Sequence, residues 1–349
     1  MRRNRLASLL RNKRRIGAFI TTLFLITLVE GVSAAATYEK RFDRLSNTVL
    51  YACNFPETVL SPLTVINDTI QDDSPREIFY YYKNVSSVPL EVVVTLENVG
   101  ANETTLAVVE GAAGPSEDGL YAGHMAVKKF WQSLLKGNEK DWVLPLNTSK
   151  VVFTQELKPN QLSTGVLLIE PKKQYSPYQL SFVIQDPLYP QLTRGVTSRF
   201  TVPQASVVTH QSAHRNLYLK MSKDEWIKEL SIGDRPYGQN QSDKLQNKGN
   251  YGLVHRVHLS LDNPSDEVQQ FQLLFSRTSG IARSVFVIDG TLVETQAFES
   301  TAQDKVETIA TIDVEPLNAR SVRIYVMPQG GGNYPAKLVV KRVRFGENV

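Results

Sequence analysis

Short runs of β-branched and aromatic residues dominate the chain from about residue 45 onward, and Asn, Gly, Pro and Asp separate them. Strands bounded by turn residues at regular spacing are typical of a β-sandwich or a barrel. The pattern therefore predicts an all-β protein. Its predicted strands are residues 78–82, 90–96, 151–153, 166–169, 178–184, 254–261, 268–275, 285–288, 309–314, 322–327 and 338–343.

One turn is predicted in more detail than the others. Asp289-Gly290 stands between the alternating segments 285–288 and 291–293. Both central residues of a type I′ turn need a positive φ, which Asp and Gly tolerate. The sequence therefore predicts a two-residue β-hairpin at this point.

Two segments depart from the strand pattern. Residues 125–135 carry apolar side chains at helical spacing, and Gly137 provides a stop, which predicts an amphipathic helix of about three turns. We expect this helix to pack over an open end of a sandwich, with Lys128 and Lys129 facing solvent. A second, weaker helix is predicted from Ser222, where Ser-x-x-Glu resembles a capping box.

Two sequence units occur twice in the same order. A strand, a polar turn with Asn and a second strand are found around Asn84 and again around Asn263. A strand ending in a proline turn, followed by a strand that also ends in proline, covers residues 155–171 and again 312–328. This duplication predicts two domains, at about 40–203 and 207–346, with a boundary near 202–209.

These repeated units resemble the immunoglobulin-like modules of bacterial exported proteins. The segments 252–254, 287–290 and 327–335 also resemble an uncharacterised family of such proteins. The resemblance implies two tandem immunoglobulin-like β-sandwich domains, the first with the inserted helix. That family has no assigned chemistry, so the resemblance implies no catalytic residues.

The N-terminal 36 residues predict export. Seven Arg and Lys residues precede an apolar run at 16–29, and the small residues of 32–36 follow Glu30. This order is typical of a secretory signal peptide. An uncleaved membrane anchor is the alternative, since residues 16–36 could just span a bilayer. Either interpretation predicts a periplasmic, cell-surface or extracellular protein, with membrane contact only through an uncleaved N-terminal segment.

Removing the predicted signal changes the charge of the chain. Residues 1–34 hold seven of the 39 basic residues and one of the 35 acidic residues, so the net charge of +4 becomes about −2. Nucleic-acid binding needs clustered Lys and Arg, and no basic stripe remains. We therefore expect no nucleic-acid partner. The single cysteine, Cys53, cannot form an intramolecular disulfide and is interpreted as a buried thiol.

Histidines are the candidate metal ligands. His210 and His214 lie four residues apart, and His255 and His258 lie three apart in a predicted strand, where they would point to opposite faces. A zinc site built from both pairs would need three or four convergent ligands. Surface or partly buried histidines are the simpler interpretation, and no motif indicates a cofactor.

Aromatic residues are the candidate binding groups. Tyr80, Tyr81 and Tyr82 share one strand, so at least one of them must face away from the core. Together with Trp131 they could stack on sugars or contact a protein. A strand buried on both faces is the alternative. The glycines at 330–332 could bind an anion, but a flexible hairpin loop is the simpler interpretation.

The sequence therefore predicts a non-catalytic, exported protein for binding, adhesion or assembly, with a protein or an envelope polysaccharide as its partner. Two alternatives remain open. One is a metal-dependent or carbohydrate-acting enzyme, because sandwich folds host sites made of distant residues. The other is a chaperone-like subunit that exchanges a β-strand.

Overall fold

The computed structural model describes residues 39–55, 57–172, 176–188, 205–240, 244–296 and 306–343. The predicted signal segment and residues 202–204 of the predicted domain boundary lie outside these residues. The chain divides into two compact units, Met1–Asp43 and Arg44–Val349. All the strands described below belong to the second unit.

Eleven strands form the first pair of sheets. Their bounds are β1 Val49–Phe55, β2 Thr58–Val59, β3 Leu63–Ile70, β4 Arg76–Asn84, β5 Leu90–Asn98, β6 Thr104–Ser116, β7 Lys140–Leu144, β8 Ser149–Leu157, β9 Leu162–Pro171, β10 Tyr178–Gln185 and β11 Ser206–His210. One sheet has the order β11-β1-β4-β9-β6-β7, with β2 beside β4, and the other has the order β3-β10-β5-β8. We call this pair the first sandwich.

Eleven further strands follow in the second part of the chain. Their bounds are β12 His214–Met221, β13 Ile227–Ile232, β14 Gly238–Gln239, β15 Gln246–Asn247, β16 Val254–Asn263, β17 Gln269–Arg277, β18 Val285–Ile288, β19 Thr291–Glu294, β20 Val306–Val314, β21 Asn318–Val326 and β22 Ala336–Arg342. The large sheets have the orders β12-β16-β21-β18-β19 and β13-β22-β17-β20, and β14 pairs with β15. We call the two large sheets the second sandwich.

Each sandwich encloses its own hydrophobic core. In the first, Tyr80 of one sheet meets Phe182 of the other edge to face, with ring centroids 5.5 Å apart. In the second, Phe275 and Phe286 meet in the same way at 5.5 Å. Alternate residues of each strand supply these cores, as period-two burial requires. The all-β architecture is therefore confirmed, and every strand predicted from the sequence overlaps an observed strand, with bounds that differ by one residue or more.

The two sandwiches have the same strand order. β12, β16, β21, β18 and β19 follow each other as β1, β4, β9, β6 and β7 do, and the second sheets correspond likewise. In the first sandwich β1 runs parallel to β4, and in the second β12 runs parallel to β16 in the same way. The short strand β2 is also parallel to β4, and the other pairs of these two sheets are antiparallel. The β5–β8 and β17–β20 ladders also share a register shift after the fifth residue of β5 and of β17.

The predicted Asn turns are duplicated down to their hydrogen bonds. Asn84 Nδ2 donates to the carbonyls of Val88 and Leu157, and its Oδ1 accepts from the amide and hydroxyl of Ser86. In the second sandwich Asn263 makes the equivalent four bonds, with Glu267, Val314 and Ser265, and its Nδ2 also donates to the Glu315 carbonyl at 3.0 Å. Each Asn thereby ties the turn between two sheets to a third strand.

A helix is inserted into the hairpin that joins β6 and β7. It spans Gly119–Lys136, with Asp118 as its N-cap and Gly137 as a left-handed C-cap at φ 68°. The predicted helix is confirmed, although it begins six residues earlier than predicted. In the second sandwich the corresponding strands β18 and β19 are joined only by Asp289 and Gly290, whose φ values of 45° and 82° confirm the predicted type I′ turn.

The helix covers a sheet face rather than an open end of the sandwich, contrary to our expectation. A Cβ on Gly111 of β6 would lie 2.3 Å from the backbone nitrogen of Phe130, so the helix backbone rests directly on the sheet. Small residues permit this approach, because Ala113, Ala122 and Ala126 form the buried contact. Lys128 is not a solvent-facing residue, since its Nζ forms an ion pair with Glu294 of β19 at 2.7 Å.

The helix predicted from Ser222 does not form. The capping contact itself is present, because the Ser222 amide donates to the Glu225 carboxylate at 2.8 Å. The chain then continues as strand β13, which pairs with β22. Pairing with a neighbouring strand therefore overrides the local helical signal. None of the helices in the described ranges is long and apolar enough to cross a bilayer.

Candidate binding site

A cleft of about 210 Å³ lies between the two sandwiches. The first sandwich contributes residues from β1, β4 and the loop after β1, and the second contributes the turns before β16 and after β21. We call it the inter-sandwich cleft. Its lining residues are Asn54, Glu57, Phe79, Tyr81, Tyr251, Gly330, Gly331, Gly332 and Asn333.

Strand β4 presents two aromatic rings to this cleft. Alternation along the strand places Tyr80 and Tyr82 in the first core and turns Phe79 and Tyr81 to the opposite face. Phe79 stacks on Tyr251 of the second sandwich, with ring centroids 6.4 Å apart and an interplanar angle of 16°. The face of the sheet that does not line the first core is therefore used to join the sandwiches.

A glycine turn after β21 forms another wall. A Cβ on Gly330 would lie 2.2 Å from the Tyr81 ring, and a Cβ on Gly331, whose φ is 75°, would lie 2.4 Å from the backbone of Gly119. A Cβ on Gly123 of the helix would lie 1.9 Å from the Gly330 carbonyl oxygen. The turn is therefore packed against the helix and joins strands of different sheets, so the predicted flexible hairpin loop is wrong.

The second sandwich holds its aromatic residues by further contacts. The Tyr251 hydroxyl donates to the Gly332 carbonyl at 2.8 Å, and its ring meets Tyr334 edge to face at 5.9 Å. Asn333 Oδ1 accepts from the amide of Ile281 at 3.0 Å, which fixes this side chain at the rim. The ring of Tyr251 is therefore held in place from both sides.

Negative charge characterises the cleft. Glu57 stands at its mouth, and partial burial raises the pKa of its carboxyl group. Burial, and then the charge of Glu57, raise the pKa of the Tyr81 hydroxyl. The same two causes, in the same order, raise the pKa of Tyr251 to about 12. One carboxylate therefore acts on both tyrosine rings.

One amide of the floor lacks a hydrogen-bond partner. Asn54 is 4% exposed, and its Oδ1 is buried without a donor among the residues that the structure describes. A buried acceptor without a partner costs about 1–3 kcal/mol. Because Asn54 lines the cleft, a donor group of a ligand could satisfy it.

The structure separates the aromatic residues that the sequence singled out. Tyr80 and Tyr82 are fully buried in the first core, and Trp131 is fully buried on the helix. These three cannot form an exposed patch. Only Tyr81 reaches the cleft, because its position in the strand turns it to the other face.

Two of the four candidate histidines are buried and neutral. His210 Nε2 accepts from Asn247 Nδ2 at 3.1 Å, and burial lowers the pKa of His210 to about 4. His255 Nε2 accepts from the Gly233 amide at 3.3 Å, and burial lowers the pKa of His255 to about 3. Both rings therefore act as hydrogen-bonding core residues.

The other two histidines lie in paired strands. His214 begins β12 and is buried, whereas His258 of β16 stacks on Tyr218 with ring centroids 4.9 Å apart. His255 and His258 point to opposite faces, as the spacing predicts. Among the residues described, no three His, Cys, Asp or Glu side chains are grouped to hold a metal ion.

Sequence reasoning missed most of the cleft. Glu57 and Asn54 belong to a segment without a recognisable motif, and Tyr251 lies in a polar turn. The outward position of Tyr81 could be predicted from strand alternation, but its neighbours could not. They come from segments far apart in the chain.

Comparisons with known proteins found only distant likeness. No protein-family profile matches the chain, and no curated protein matches it. The solved structure of tripeptidyl peptidase 2 (TPP II) is 7% identical, with a TM-score of 0.23, over 82% of this chain and 24% of that one. The insecticidal delta-endotoxin Cry8Ea1 from Bacillus thuringiensis is 9% identical, with a TM-score of 0.21, over 71% and 54%. The CBM22 tandem of Paenibacillus barcinonensis Xyn10C is 11% identical, with a TM-score of 0.14, over 77% and 82%. These scores are too low to support an argument on fold or function.

Proposed function

We propose that the protein is a non-catalytic, exported binding or assembly protein that takes part of its partner into the inter-sandwich cleft. The observation that carries this proposal is the cleft itself, whose lining includes Asn54, a residue with a buried Oδ1 that has no donor among the described residues. Buried polar atoms normally have partners, and a donor group of a ligand is the partner that we propose for this one. The rings of Tyr81 and Tyr251 add surfaces on which a ligand can pack.

Export is the second part of the proposal. It rests on the basic head, apolar run and small-residue exit of residues 1–36. A protein or an envelope polysaccharide is the partner class that an exported module of this kind would meet. The cleft draws on both sandwiches, so a bound partner would also hold them together.

We further propose that the sandwiches are tandem immunoglobulin-like domains derived from one duplicated module. The shared strand order supports this, as do the equivalent bonds of Asn84 and Asn263 and the matching register shifts. The helix is then an insertion into the first copy. On this proposal the hairpin with Asp289 and Gly290 keeps the simpler form of the module.

Photo-crosslinking in the producing cells tests the binding proposal. A benzophenone amino acid replaces Asn333, which is exposed at the rim of the cleft. Leu317, which is 77% exposed in the turn before β21, takes the same label as the control. We expect the label at position 333 to give an adduct, and the label at position 317 to give a weaker adduct or none. Mass spectrometry of the adduct identifies the partner.

A second variant makes the result specific to the cleft. Tyr81→Ala in the labelled protein removes one wall, so the adduct from position 333 should disappear while folding, followed by circular dichroism, is retained. An adduct of equal yield with Tyr81→Ala, or no adduct from position 333 at all, would contradict the proposed function.

A further inference from the structure

Two hydrogen-bond acceptors that line the inter-sandwich cleft have no partner among the described residues. Asn54 Oδ1 is buried without a donor, and the Glu57 carboxylate forms no ion pair or hydrogen bond with the residues that are described. Other carboxylates of the protein differ in this respect. Glu139, for example, meets Lys172 at 2.6 Å and Arg44 at 3.0 Å.

The walls of the cleft favour a positive charge as well. The nine lining residues include no Lys, Arg or His, so Glu57 is the only charged group among them. The faces of the aromatic rings of Tyr81 and Tyr251 attract cations through their quadrupoles. Glu57 is exposed at the edge of the cleft, so a cation can reach its carboxylate from solvent.

The size of the cleft restricts the ligand further. Its volume of about 210 Å³ is below the range of about 300–1,000 Å³ that is usual for pockets that enclose a drug-sized molecule. A single side chain inserted from a partner suits this volume, whereas several linked sugar rings do not.

We propose that the inter-sandwich cleft binds a cationic nitrogen group, the ammonium or guanidinium of a Lys or Arg side chain on a partner polypeptide. The cation would pair with Glu57, donate to Asn54 Oδ1 and pack against Tyr81 and Tyr251. This inference rests on the proposed function and names the chemistry that the same cleft recognises. The anion that the glycine run alone suggested is disfavoured, because Glu57 would repel it.

Binding of small probes to the purified full chain tests the inference. Nα-acetyl-lysine amide and Nα-acetyl-arginine amide are the cationic probes, Nα-acetyl-norleucine amide is the uncharged analogue, and glucose represents a sugar. Ring resonances of isotope-labelled Tyr81 and Tyr251 report binding at the cleft. We expect the cationic probes to shift these resonances and the norleucine analogue and glucose to leave them unchanged.

Two variants separate charge from shape. Glu57→Gln keeps the size of the side chain and removes its charge, so affinity for the cationic probes should fall at least about tenfold. Glu97→Gln, at an exposed position of β5, is the matched control and should bind as the wild type does. Because burial raises the pKa of Glu57 above its ordinary 4.5, binding should also weaken with falling pH before 4.5 is reached.

The outcomes distinguish the two proposals. Equal binding of norleucine amide and lysine amide, or no effect of Glu57→Gln, would overturn the cationic ligand and leave the crosslinking result to decide the proposed function. A partner crosslinked to position 333 through a segment without Lys or Arg would also overturn the cationic ligand. If no probe binds and position 333 gives no adduct, the cationic ligand and the proposed function are both overturned.

Discussion

The contact between the helix and the glycine turn makes Gly123→Ala the sharpest test of how the sandwiches are joined. In an exposed helix this substitution stabilises by about 1 kcal/mol, because Ala has the higher helix propensity. Here the new Cβ would lie 1.9 Å from the Gly330 carbonyl oxygen and 2.8 Å from its carbon. Both atoms belong to backbone, so no flexible side chain can move aside.

The glycine turn at 330–332 also cannot easily move away from the helix. A Cβ on Gly330 would lie 2.2 Å from the ring of Tyr81, so the chain is already pressed against the first sandwich. Overpacking of this kind costs about 1–3 kcal/mol, and the absence of an escape route places Gly123→Ala at the upper end. After the gain in helix propensity, we expect a net loss of about 2 kcal/mol in the free energy of unfolding.

Urea unfolding of the wild type and the variant measures this difference in the free energy of unfolding. An unchanged dependence of that free energy on urea concentration would show that only stability has changed. Tyr121→Ala, at a position of the same helix that is 51% exposed, is the control and should lie within about 0.5 kcal/mol of the wild type. Hydrogen exchange of the amides at 330–333 should accelerate only in Gly123→Ala. A Gly123→Ala protein as stable as the wild type, or more stable, would refute the close contact.

Three further predictions concern buried polar groups. Asn84→Ala and Asn263→Ala each remove four equivalent hydrogen bonds, so each should lower the free energy of unfolding by about 2–4 kcal/mol. Asn263→Ala also removes the bond to Glu315, so its loss should be equal or larger. Hydrogen exchange should place the two losses in the first and second sandwich respectively, and a clearly smaller loss for Asn263→Ala would contradict the equivalence. The folded-state pKa of His255 is about 3 against an ordinary 6.5, so the free energy of unfolding should fall as pH drops below 6.5. The slope should reach up to about 1.4 kcal/mol per pH unit. His255→Gln should reduce this slope, as measured by urea unfolding at a series of pH values. Burial raises the pKa of Glu77, which pairs with Leu50 and Leu168 on the neighbouring strands and has no hydrogen-bond partner among the described residues. The folded state therefore keeps a proton that the unfolded state releases, so stability falls as pH rises above 4.5. Glu77→Met should therefore stabilise by about 1–3 kcal/mol at pH 5 and by more at pH 8, and an equal effect at both pH values would show that Glu77 does not hold its proton.

Strand alternation and turn chemistry are local properties, and they could be predicted from the sequence. Each predicted strand was found, as were the hairpin at Asp289-Gly290 and the helix that ends at Gly137. The duplicated turns around Asn84 and Asn263 also proved equivalent. A few neighbouring residues set these features, through side-chain period, positive φ and capping.

The errors arose where a distant segment decided the outcome. The capping contact of Ser222 formed as its spacing predicts, yet pairing of β13 with β22 made the following residues a strand. The glycines at 330–332 looked flexible because no local feature shows that Gly123 will press against them. The helix likewise covered a sheet face because Gly111 of strand β6 allows the helix backbone to approach the sheet.

Local pattern alone therefore determined which segments are strands, where the chain turns and that one architecture occurs twice. It could also state that Tyr81 faces away from Tyr80 and Tyr82. The partners of that outward face depend on how the two sandwiches pack, and this packing brings Glu57 and Tyr251 together across almost two hundred residues of sequence. Such contacts depend on the shapes of the two packed surfaces and on the close backbone approach that glycine permits. Both are properties of the tertiary structure.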